Sequence, residues 1–298
     1  MSDFTDRLDA AEFAHAAYGA PALRRIWLCA DDYGMSIGVN TAIRDLVARG
    51  RINAVSVMVV AASLHRTEAN ALAALNAGSA RPAAIGLHVT LTAPFSPLSD
   101  KYRPAKEGVF PRLGATLTKA VMHHLNRDAL EREITAQLRL FIHTFGRAPD
   151  FIDGHQHVQL FPQVCDAVLK VAKAGAPKAW LRQCGRPEPV PVRLAEYKAL
   201  LLDFLSKRFR QRATAAGMRT NPAFAGAYEY AEKADFPTLF EGFLDRLPDG
   251  SVLMCHPGLV DAELRRLDPL TTLREREYAF LAGESFPALL ASRGVALA

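Results

Sequence analysis

Cysteines are few in this sequence, and long hydrophobic runs are absent from it. The 298 residues include only four cysteines, which lie far apart and form no Cys-x-x-Cys pair: Cys29, Cys165, Cys184 and Cys255. This spacing argues against a disulfide framework and against a zinc site built from thiolates. The longest apolar stretch, residues 54–64, is interrupted by Ser56 and Ser63 and is too short to cross a bilayer.

The N-terminus lacks the pattern of a secretory signal. Its first nine residues contain three acids and one arginine, and no apolar core follows them. Together with the unpaired cysteines, this predicts a cytoplasmic protein. No internal repeat and no long linker divides the chain, so we expect a lead-in over residues 1–24 and one domain over residues 25–298.

Charge of one sign is not in large excess. The 36 Lys and Arg residues and the 31 Asp and Glu residues give a net charge of +5 at pH 7. The excess is local, because residues 178–219 contain ten basic and only three acidic side chains. No interleaved aromatic stacking pattern supports nucleic-acid binding, so we expect no nucleic-acid partner.

The basic segment includes a predicted helix over residues 196–213. Leu201, Leu205 and Phe209 are four residues apart and would form an apolar stripe, whereas Lys207 and three arginines crowd the second half of the helix. A helix with a solvated basic face is the simpler interpretation. A weak contact with an anionic membrane surface is the alternative, and the sequence leaves it open, as it does the formation of a homodimer.

Short apolar strands alternate with helices along the chain. The predicted strands are residues 26–30, 54–60, 85–91, 151–153, 179–182 and 252–256. The predicted helices are residues 39–49, 66–76, 128–145 with Asp128 as N-cap, 162–174 and 196–213. Strands that are apolar on both faces are typical of parallel sheets covered by helices. We therefore predict an α/β fold, a single distorted (β/α) TIM-like barrel with mostly parallel strands.

Polar residues occur where these strands end. They lie at or just past the predicted carboxyl ends: Asp31, Asp32, His88, Asp153, His155, Arg182 and His256. The carboxyl ends of barrel strands face one mouth, where catalytic groups collect. We expect these side chains, which are remote from one another in sequence, to converge there.

This set of residue types predicts a site for a divalent metal ion. One aspartate and two histidines provide donors and leave positions open for water and substrate. Of the two consecutive aspartates, Asp31 and Asp32, one can bind the ion while the other accepts a proton from water. Arg182 could keep that second carboxylate ionised, and His256 could protonate a leaving group.

Each residue also has an ordinary structural interpretation. An Asp-Asp pair at a strand end can cap a helix, and His88, between two aliphatic residues, can be a hydrogen-bonded core histidine. The pair His155 and His157 is a stronger signal, because extended backbone would place both imidazoles on one side. A structural explanation of the whole set needs four separate coincidences at strand ends, so we favour metal chemistry.

Three other functions fit parts of the pattern. A phosphoesterase on a similar barrel would use paired carboxylates and histidines with two metal ions, and the basic segment would attract phosphate. A non-catalytic sugar-binding module would need neither both aspartates nor His256. A metal-free glycoside hydrolase needs two carboxylates across a glycosidic bond and leaves the histidines unexplained.

Several motifs resemble those of the YdjC-type carbohydrate deacetylases. They are similar to that family's sequence blocks in order and spacing: ADDYGMS at residues 30–36, GLHVTLT at 86–92, FGRAP at 145–149, IDGHQHV at 152–158 and MCHPG at 254–258. The resemblance extends over residues 24–297. It implies a distorted barrel that removes the N-acetyl group of an amino sugar, oligomeric or lipid-linked, and releases acetate.

The resemblance also implies roles for individual residues. Asp32, His88 and His155 correspond to the ligands of one divalent ion. Asp31 corresponds to the general base and His256 to the general acid. The family's ion is commonly magnesium, but two histidines make the donor set softer than magnesium prefers, so we expect that zinc also binds.

Four further residues are expected to bind substrate or to support this set. They are His157, Arg182, Tyr33 and Asp153. Tyr33 stands where the family commonly has phenylalanine, which would add a hydroxyl near the site. Gln159 stands where the family often has histidine, so no third histidine of that motif takes part here.

Overall fold

A computed structural model describes residues 23–100, 102, 107–187, 197–231 and 233–298 of the chain. The predicted N-terminal lead-in, residues 1–24, lies outside the described residues except for its last two positions. All four cysteines are buried and free. No helix in the described ranges is long and apolar enough to span a membrane.

Eight β-strands are present in the described residues, and they form one sheet. They are β1 (Arg24–Tyr33), β2 (Ala54–Val57), β3 (Ala84–Val89), β4 (Phe151–Gly154), β5 (Trp180–Leu181), β6 (Phe224–Ala225), β7 (Val252–Cys255) and β8 (Val295–Leu297). Every strand pairing is parallel. The spatial order is β5-β4-β3-β2-β1-β7-β6, and β8 pairs with the first residues of β1.

The two edge strands of this sheet approach each other, so the sheet curls into a distorted barrel. The backbone N–H of Leu181, in β5, donates to the carbonyl of Arg219 (2.8 Å), and Leu181 forms a parallel bridge with Thr220, just before β6. The N–H of Phe224, in β6, donates in turn to the carbonyl of Gly185 (2.9 Å). The predicted α/β fold with a parallel, TIM-like sheet is confirmed.

Helices connect the strands throughout the described part of the chain. They are α1 (Ile37–Ala48), α2 (Arg66–Ala77), α3 (Leu113–Val121), α4 (Arg127–Phe145), a 3₁₀ helix (His155–Leu160), α5 (Val164–Gly175), α6 (Tyr197–Ala215), α7 (Phe236–Leu244), α8 (Ala262–Leu267), α9 (Thr272–Ala282) and α10 (Ser285–Ser292). The five predicted helices correspond to α1, α2, α4, α5 and α6, with boundaries that differ by one or two residues. Residue 196, the predicted start of α6, lies outside the described residues.

The predicted N-cap of α4 was wrong. Asn126 caps this helix, because its side-chain oxygen accepts a hydrogen bond from the N–H of Ala129 (2.9 Å). Asp128 lies inside the first turn, where a negative charge still interacts favourably with the helix dipole. The helix ends as predicted at Gly146, which has the left-handed conformation (φ 68°) that terminates many helices.

Strand β1 runs through the middle of the sheet and is almost entirely buried. Ile26, Leu28, Cys29 and Ala30 have no exposed surface. Consecutive residues of a strand face opposite sides of the sheet, so both sides are covered here. Full burial of an aliphatic side chain contributes about 1.5–3 kcal/mol to the free energy of unfolding. The unalternating apolar pattern in the sequence therefore reflects burial from two sides.

A glycine allows β3 and β4 to pack closely just before the histidine of β3. A Cβ atom at Gly86 would lie 2.4 Å from the ring of Phe151 in β4. Phe151 in turn stacks on Trp180 of β5, with ring centroids 4.6 Å apart. The glycine of the GLHVTLT motif thus has a packing role, two residues before His88.

The sequence did not predict the elements of the C-terminal region, α7 to α10 and β8. The pattern of α9 explains one such omission. A stripe of apolar residues is the usual signal of a buried helix. In α9 the buried face contains the charged residues Arg274 and Glu277 as well as Leu273 and Leu281, so no such stripe is present.

Candidate active site

Two consecutive aspartates lie near the end of β1 in the mouth of the barrel. In a regular strand their side chains would point to opposite faces. Here the register between β1 and β2 shifts between Ala30 and Tyr33, and Asp32 adopts the left-handed conformation, with φ of 72°. Both carboxylates therefore approach the same nitrogen, His88 Nε2, at 3.9 Å from Asp31 and 3.4 Å from Asp32.

Asp32, His88 and His155 form a compact group of metal-ligand atoms. Asp32 Oδ1 lies 3.4 Å from His88 Nε2 and 3.0 Å from His155 Nδ1. All three donor atoms lie within 4.8 Å of one another. Ligands placed about 2.0–2.1 Å from a tetrahedral ion are about 3.3 Å apart. The three residues, brought together from β1, β3 and the 3₁₀ helix, therefore fit around one ion.

The other side of the His88 ring is held by Asp153. His88 Nδ1 lies 2.6 Å from Asp153 Oδ1, and the Ser56 hydroxyl donates to the same oxygen (2.5 Å). Burial lowers the pKa of His88, but Asp153 and Asp31 outweigh burial and raise this pKa to about 10. The contact with Asp153 thus fixes the orientation of the ring and leaves the other nitrogen, Nε2, directed towards Asp32.

Asp31 is paired with a buried arginine, as predicted. Arg182 Nη1 and Nη2 donate to the two carboxylate oxygens of Asp31, at 2.6 and 2.7 Å. Arg182 Nε also lies 3.1 Å from Asp153 Oδ2. Burial acts to raise the pKa of Asp31, but Arg182 outweighs it and holds the pKa at about 2. Asp31 is therefore ionised throughout the physiological range.

Asp32 is paired with a second buried arginine, which the sequence prediction missed. Arg274, in α9, donates from Nη2 to Asp32 Oδ2 (2.6 Å) and also contacts Asp268 Oδ2 (2.5 Å). Burial acts to raise the pKa of Asp32, but Arg274 and then His155 hold it well below its usual value. The arginine engages Oδ2 only, which leaves Oδ1 directed at His88 and His155.

His155 and His157 do not lie on one side of an extended segment, so that expectation was wrong. They belong to a 3₁₀ helix in which Gln156 and His157 have positive φ angles of 54° and 61°. His155 faces Asp32, whereas His157 Nδ1 lies 3.4 Å from the sulfur of Cys184. Burial, with the charge of Arg182, lowers the pKa of His157 to about 3, so this imidazole is neutral.

The hydroxyl of Tyr33 does not point into the candidate site, contrary to expectation. It donates to the carbonyl of Glu68 (2.7 Å) and accepts a hydrogen bond from Arg44 Nη1 (3.1 Å). These partners belong to α2 and α1. The register shift at the end of β1 gives the inward positions to Asp31 and Asp32, so the next side chain is directed into the packing between the helices.

His256 follows β7 and is partly buried at the same mouth. Its Nδ1 lies 3.4 Å from the hydroxyl of Tyr230, and its backbone N–H donates to Glu277 Oε2. Burial lowers the pKa of His256 to about 4, although the charges of Asp32 and Asp31 oppose this. The imidazole is therefore neutral at pH 7 and must gain a proton before it can donate one.

Glu277 is a second buried charged group that the sequence prediction missed. It lies one turn after Arg274 in α9 and accepts a hydrogen bond from the Tyr228 hydroxyl at Oε1 (2.6 Å). Burial raises the pKa of Glu277 to about 7, although the hydrogen bonds from Tyr228 and from the N–H of His256 oppose this. No local sequence signal marks either α9 residue, because their partners are remote along the chain.

Comparison with known proteins places this geometry in a family. The sequence profile of the family described as YdjC-like protein matches residues 25–292. The chain belongs to the YdjC-like family. A Geobacillus stearothermophilus protein named carbohydrate deacetylase is 29% identical over 272 residues, which cover 90% of this chain and 93% of that protein. A Salmonella schwarzengrund protein named chitooligosaccharide deacetylase is 26% identical over 268 residues, which cover 89% and 93%.

A crystal structure is similar in fold to this YdjC-like chain. It is that of an Enterococcus faecalis protein described as a candidate cellobiose-phosphate cleavage protein, with a TM-score of 0.70 and 20% identity. The match covers 93% of this chain and 97% of that one. The predicted family resemblance is thus confirmed, and the matched residues 25–292 include the whole cluster from Asp31 to Glu277.

Proposed function

We propose that this chain is a metal-dependent carbohydrate deacetylase that hydrolyses the N-acetyl amide of an amino sugar and releases acetate. One observation carries the proposal: the donor atoms of Asp32, His88 and His155 converge beside Asp31, a carboxylate kept ionised by Arg182. The names of the relatives from Geobacillus and Salmonella support the same substrate class.

The donor set fits a borderline divalent ion. Asp32 Oδ1, His88 Nε2 and His155 Nδ1 would hold it, and two nitrogens with one oxygen favour zinc or another transition ion over magnesium. When bound, such an ion supplies Lewis acidity and lowers the pKa of water towards neutrality. Asp153 orients His88, and Arg274 keeps Oδ2 of Asp32 engaged, so that Oδ1 remains the ligating atom.

Asp31 and His256 would move the protons of the reaction. Water attacks the amide carbonyl carbon, and a carboxylate oxygen of Asp31 accepts the proton that the water loses. His256 donates a proton to the amide nitrogen as the carbon–nitrogen bond breaks, so that the free amine and acetate leave. Because the pKa of His256 is lowered, the imidazole is neutral before the reaction and takes this proton from solvent during turnover, when the negative charge that develops on the substrate raises its pKa. Asp31 returns the proton that it accepted to solvent once the products leave.

Acetate release tests the proposal. The protein is incubated with a panel of monomeric, oligomeric and lipid-linked N-acetylated sugars, after chelation and after addition of zinc, magnesium, manganese or cobalt. We expect activity on at least one sugar, its loss on chelation, and recovery with about one equivalent of metal ion. Acetate release that is indifferent to chelator, or no acetate from any sugar, would contradict the proposal.

The phosphoesterase alternative requires a second metal ion, and the geometry disfavours it. Cys29, Asp31 and Asp153 form another group of ligand types, with donor atoms within 4.8 Å of one another. The guanidinium of Arg182, however, lies against both carboxylates of this group. A divalent ion there would meet a fixed positive charge at close range. Metal analysis that gives two equivalents per chain would favour the phosphoesterase.

A second proposal concerns α6 and a membrane surface. Of the predicted apolar stripe, Leu205 and Phe209 are buried and only Leu201 is exposed. Tyr197 and Phe204 join Leu201 on the exposed surface, at 66%, 56% and 45% exposure respectively. Lys198 lies over the ring of Tyr197 and Arg208 over that of Phe204. Exposed aromatic and aliphatic groups beside cations are typical of surfaces that contact anionic bilayers weakly.

Co-sedimentation with lipid vesicles tests this contact. We expect binding to vesicles that contain phosphatidylglycerol and little to pure phosphatidylcholine, and a clear reduction for Leu201→Ser combined with Phe204→Ser. Met122→Ser is the control, because Met122 is similarly exposed but lies outside the basic segment. Equal, negligible sedimentation with both kinds of vesicle would contradict the proposed membrane contact.

A further inference from the structure

Helix α9 carries two buried charged residues on one face. Arg274 and Glu277 are three positions apart and therefore neighbours on the helix surface, and they are 1% and 0% exposed. Burial of a charged group is costly unless partners satisfy it. Arg274 contacts the Asp32 carboxylate, whereas Glu277 contacts the backbone of His256.

Arg274 reaches the aspartate that would ligate the ion. Its Nη2 donates to Asp32 Oδ2 (2.6 Å) and to Asp268 Oδ2 (2.5 Å), and its Nε donates to the carbonyl of Leu270 (3.1 Å). Three hydrogen bonds, to Asp32, Asp268 and the carbonyl of Leu270, thus fix the guanidinium. It restricts rotation of the Asp32 carboxylate, and this determines which oxygen faces His88 and His155.

Glu277 reaches the loop that carries His256. Its Oε2 accepts the backbone N–H of His256, and its Oε1 accepts the Tyr228 hydroxyl (2.6 Å). The carbonyl of Arg274 also accepts the N–H of Gly258 (3.1 Å). One turn of α9 therefore contacts both Asp32, from β1, and the segment after β7.

These contacts connect two groups that must keep a fixed separation for the reaction proposed above. Asp32 defines where an ion would lie, and His256 must reach the departing nitrogen of a substrate bound at that ion. Misplacement of a reacting group by about 1 Å can reduce a rate by about 100-fold. A rigid element that touches both groups is a direct way to fix their distance.

We propose that Arg274 and Glu277 are positioning residues, which fix Asp32 and His256 relative to each other through one turn of α9. The inference rests on the proposed deacetylase function and extends it to residues outside the proposed set of ligands and proton-transfer groups. The two residues have separable effects. Arg274 acts on the ion site, and Glu277 acts on the proton donor.

The variant Arg274→Lys tests the first effect. Lysine keeps the positive charge but has no planar group with which to hold Asp32 and Asp268. A change in metal affinity in this variant would therefore result from altered geometry and not from loss of charge. We expect the affinity for Co²⁺, measured by calorimetry on the metal-free protein, to fall about 10-fold or more, with an altered Co²⁺ absorption spectrum. The matched control is Arg276→Lys, an exposed position of the same helix.

The variant Glu277→Gln tests the second effect. The amide cannot accept hydrogen bonds at both ends, so it releases either the N–H of His256 or the hydroxyl of Tyr228. We expect kcat to fall about 10- to 100-fold with KM and Co²⁺ affinity within twofold of wild type, and the imidazole ¹⁵N shifts of His256 to change. The control is Glu275→Gln, the same chemical change at an exposed position of α9, where the amide oxygen can still accept the one hydrogen bond that Glu275 receives, from the N–H of Val260.

Several outcomes decide the proposal. Wild-type Co²⁺ affinity in Arg274→Lys, or wild-type kcat and His256 shifts in Glu277→Gln, would overturn it. Equal losses of Co²⁺ affinity in both variants, with lowered Tm, would indicate a merely structural role and also overturn it. If Glu277→Gln fails to fold, Tyr228→Phe removes one partner of the carboxylate with less disturbance and should reproduce the kcat and NMR effects. Absence of deacetylation by the wild type would contradict the proposed function. The Co²⁺ affinities and the His256 NMR shifts would still test whether Arg274 and Glu277 position Asp32 and His256.

Discussion

Asp31 and Asp32 are adjacent in the chain, yet their carboxylates have different surroundings. Arg182 binds both oxygens of Asp31, whereas Arg274 binds only Oδ2 of Asp32. Asp32 Oδ1 therefore remains available beside two imidazoles, whereas both oxygens of Asp31, which also lies near His88 Nε2, are held by a guanidinium. The two successive aspartates thus differ in which of their carboxylate oxygens are engaged, because their arginine partners bind them differently.

His155 and His157, two residues apart, also have different surroundings. His155 Nδ1 contacts Asp32, while His157 is neutral and lies against Cys184 and the ring of Phe224. The left-handed backbone at Gln156 and His157 causes the separation. In both pairs the roles depend on local backbone conformation and on partners that are distant in sequence. Three substitutions, two in the aspartate pair and one in the histidine pair, test these differences.

The largest effect is expected for Asp32→Asn. The substitution removes the only negative charge among the three proposed ligands, so affinity for a divalent ion should fall by more than about 100-fold. Acetate release should become undetectable with a single equivalent of metal ion. Calorimetric titration with Zn²⁺ beside an acetate assay checks both expectations, and near-normal affinity would place the ion elsewhere.

A smaller but still large effect is expected for Asp31→Asn. The carboxylate that would accept the proton is lost while the three ligands remain, so turnover should fall about 10²- to 10⁴-fold. Metal content should remain close to one equivalent per chain. If Asp31→Asn lost the ion and Asp32→Asn kept it, the roles assigned to the two aspartates would have to be exchanged.

The smallest effect is expected for His157→Gln, and it concerns stability against acid. The pKa of His157 is about 3 in the folded protein and about 6.5 in an unfolded chain. Below pH of about 6.5 the unfolded chain gains a proton that the folded chain excludes, so the free energy of unfolding falls by up to about 1.4 kcal/mol per pH unit. His256, with a pKa of about 4, acts in the same direction.

The variant should therefore lose less stability than wild type on acidification. Between about pH 6.5 and 4.5 the difference should be up to roughly 3 kcal/mol, measured by urea unfolding of the metal-free proteins. His143→Gln, at an exposed position of α4, is the control and should follow the wild type. Parallel curves for wild type and His157→Gln would show that His157 is not buried in the neutral form.

The sequence could predict those parts of the fold and of the candidate site that depend on local pattern. Apolar strands without alternation predicted the parallel sheet, and the carboxyl ends of parallel strands must meet at one edge. Asp32, His88 and His155 could therefore be assigned to one edge together with the other strand-end residues, and the resemblance to the family then implied that these three are the ligands. Arg182 could be assigned to the same edge because it follows a short apolar strand.

Other features depend on long-range packing and could not be predicted. Arg274 is 242 residues away from its partner Asp32 along the chain. The buried charges of α9 also interrupt the apolar stripe by which a buried helix is recognised in a sequence. The direction of the Tyr33 hydroxyl depends on a register shift between two strands. The separation of His155 from His157 depends on a left-handed turn, which neither residue type signals by itself.

The position of α9 near the end of the chain has a consequence for comparisons by motif. All the sequence blocks by which this chain resembles its family end at Gly258, before the helix begins at Thr272. A shorter relative or a fragment that stopped between these positions would contain every one of these blocks, yet the aspartate that corresponds to Asp32 would have no cationic neighbour from this helix. If the positioning role proposed for α9 holds, we expect the product of such a truncated gene to be inactive even though each recognisable block is intact.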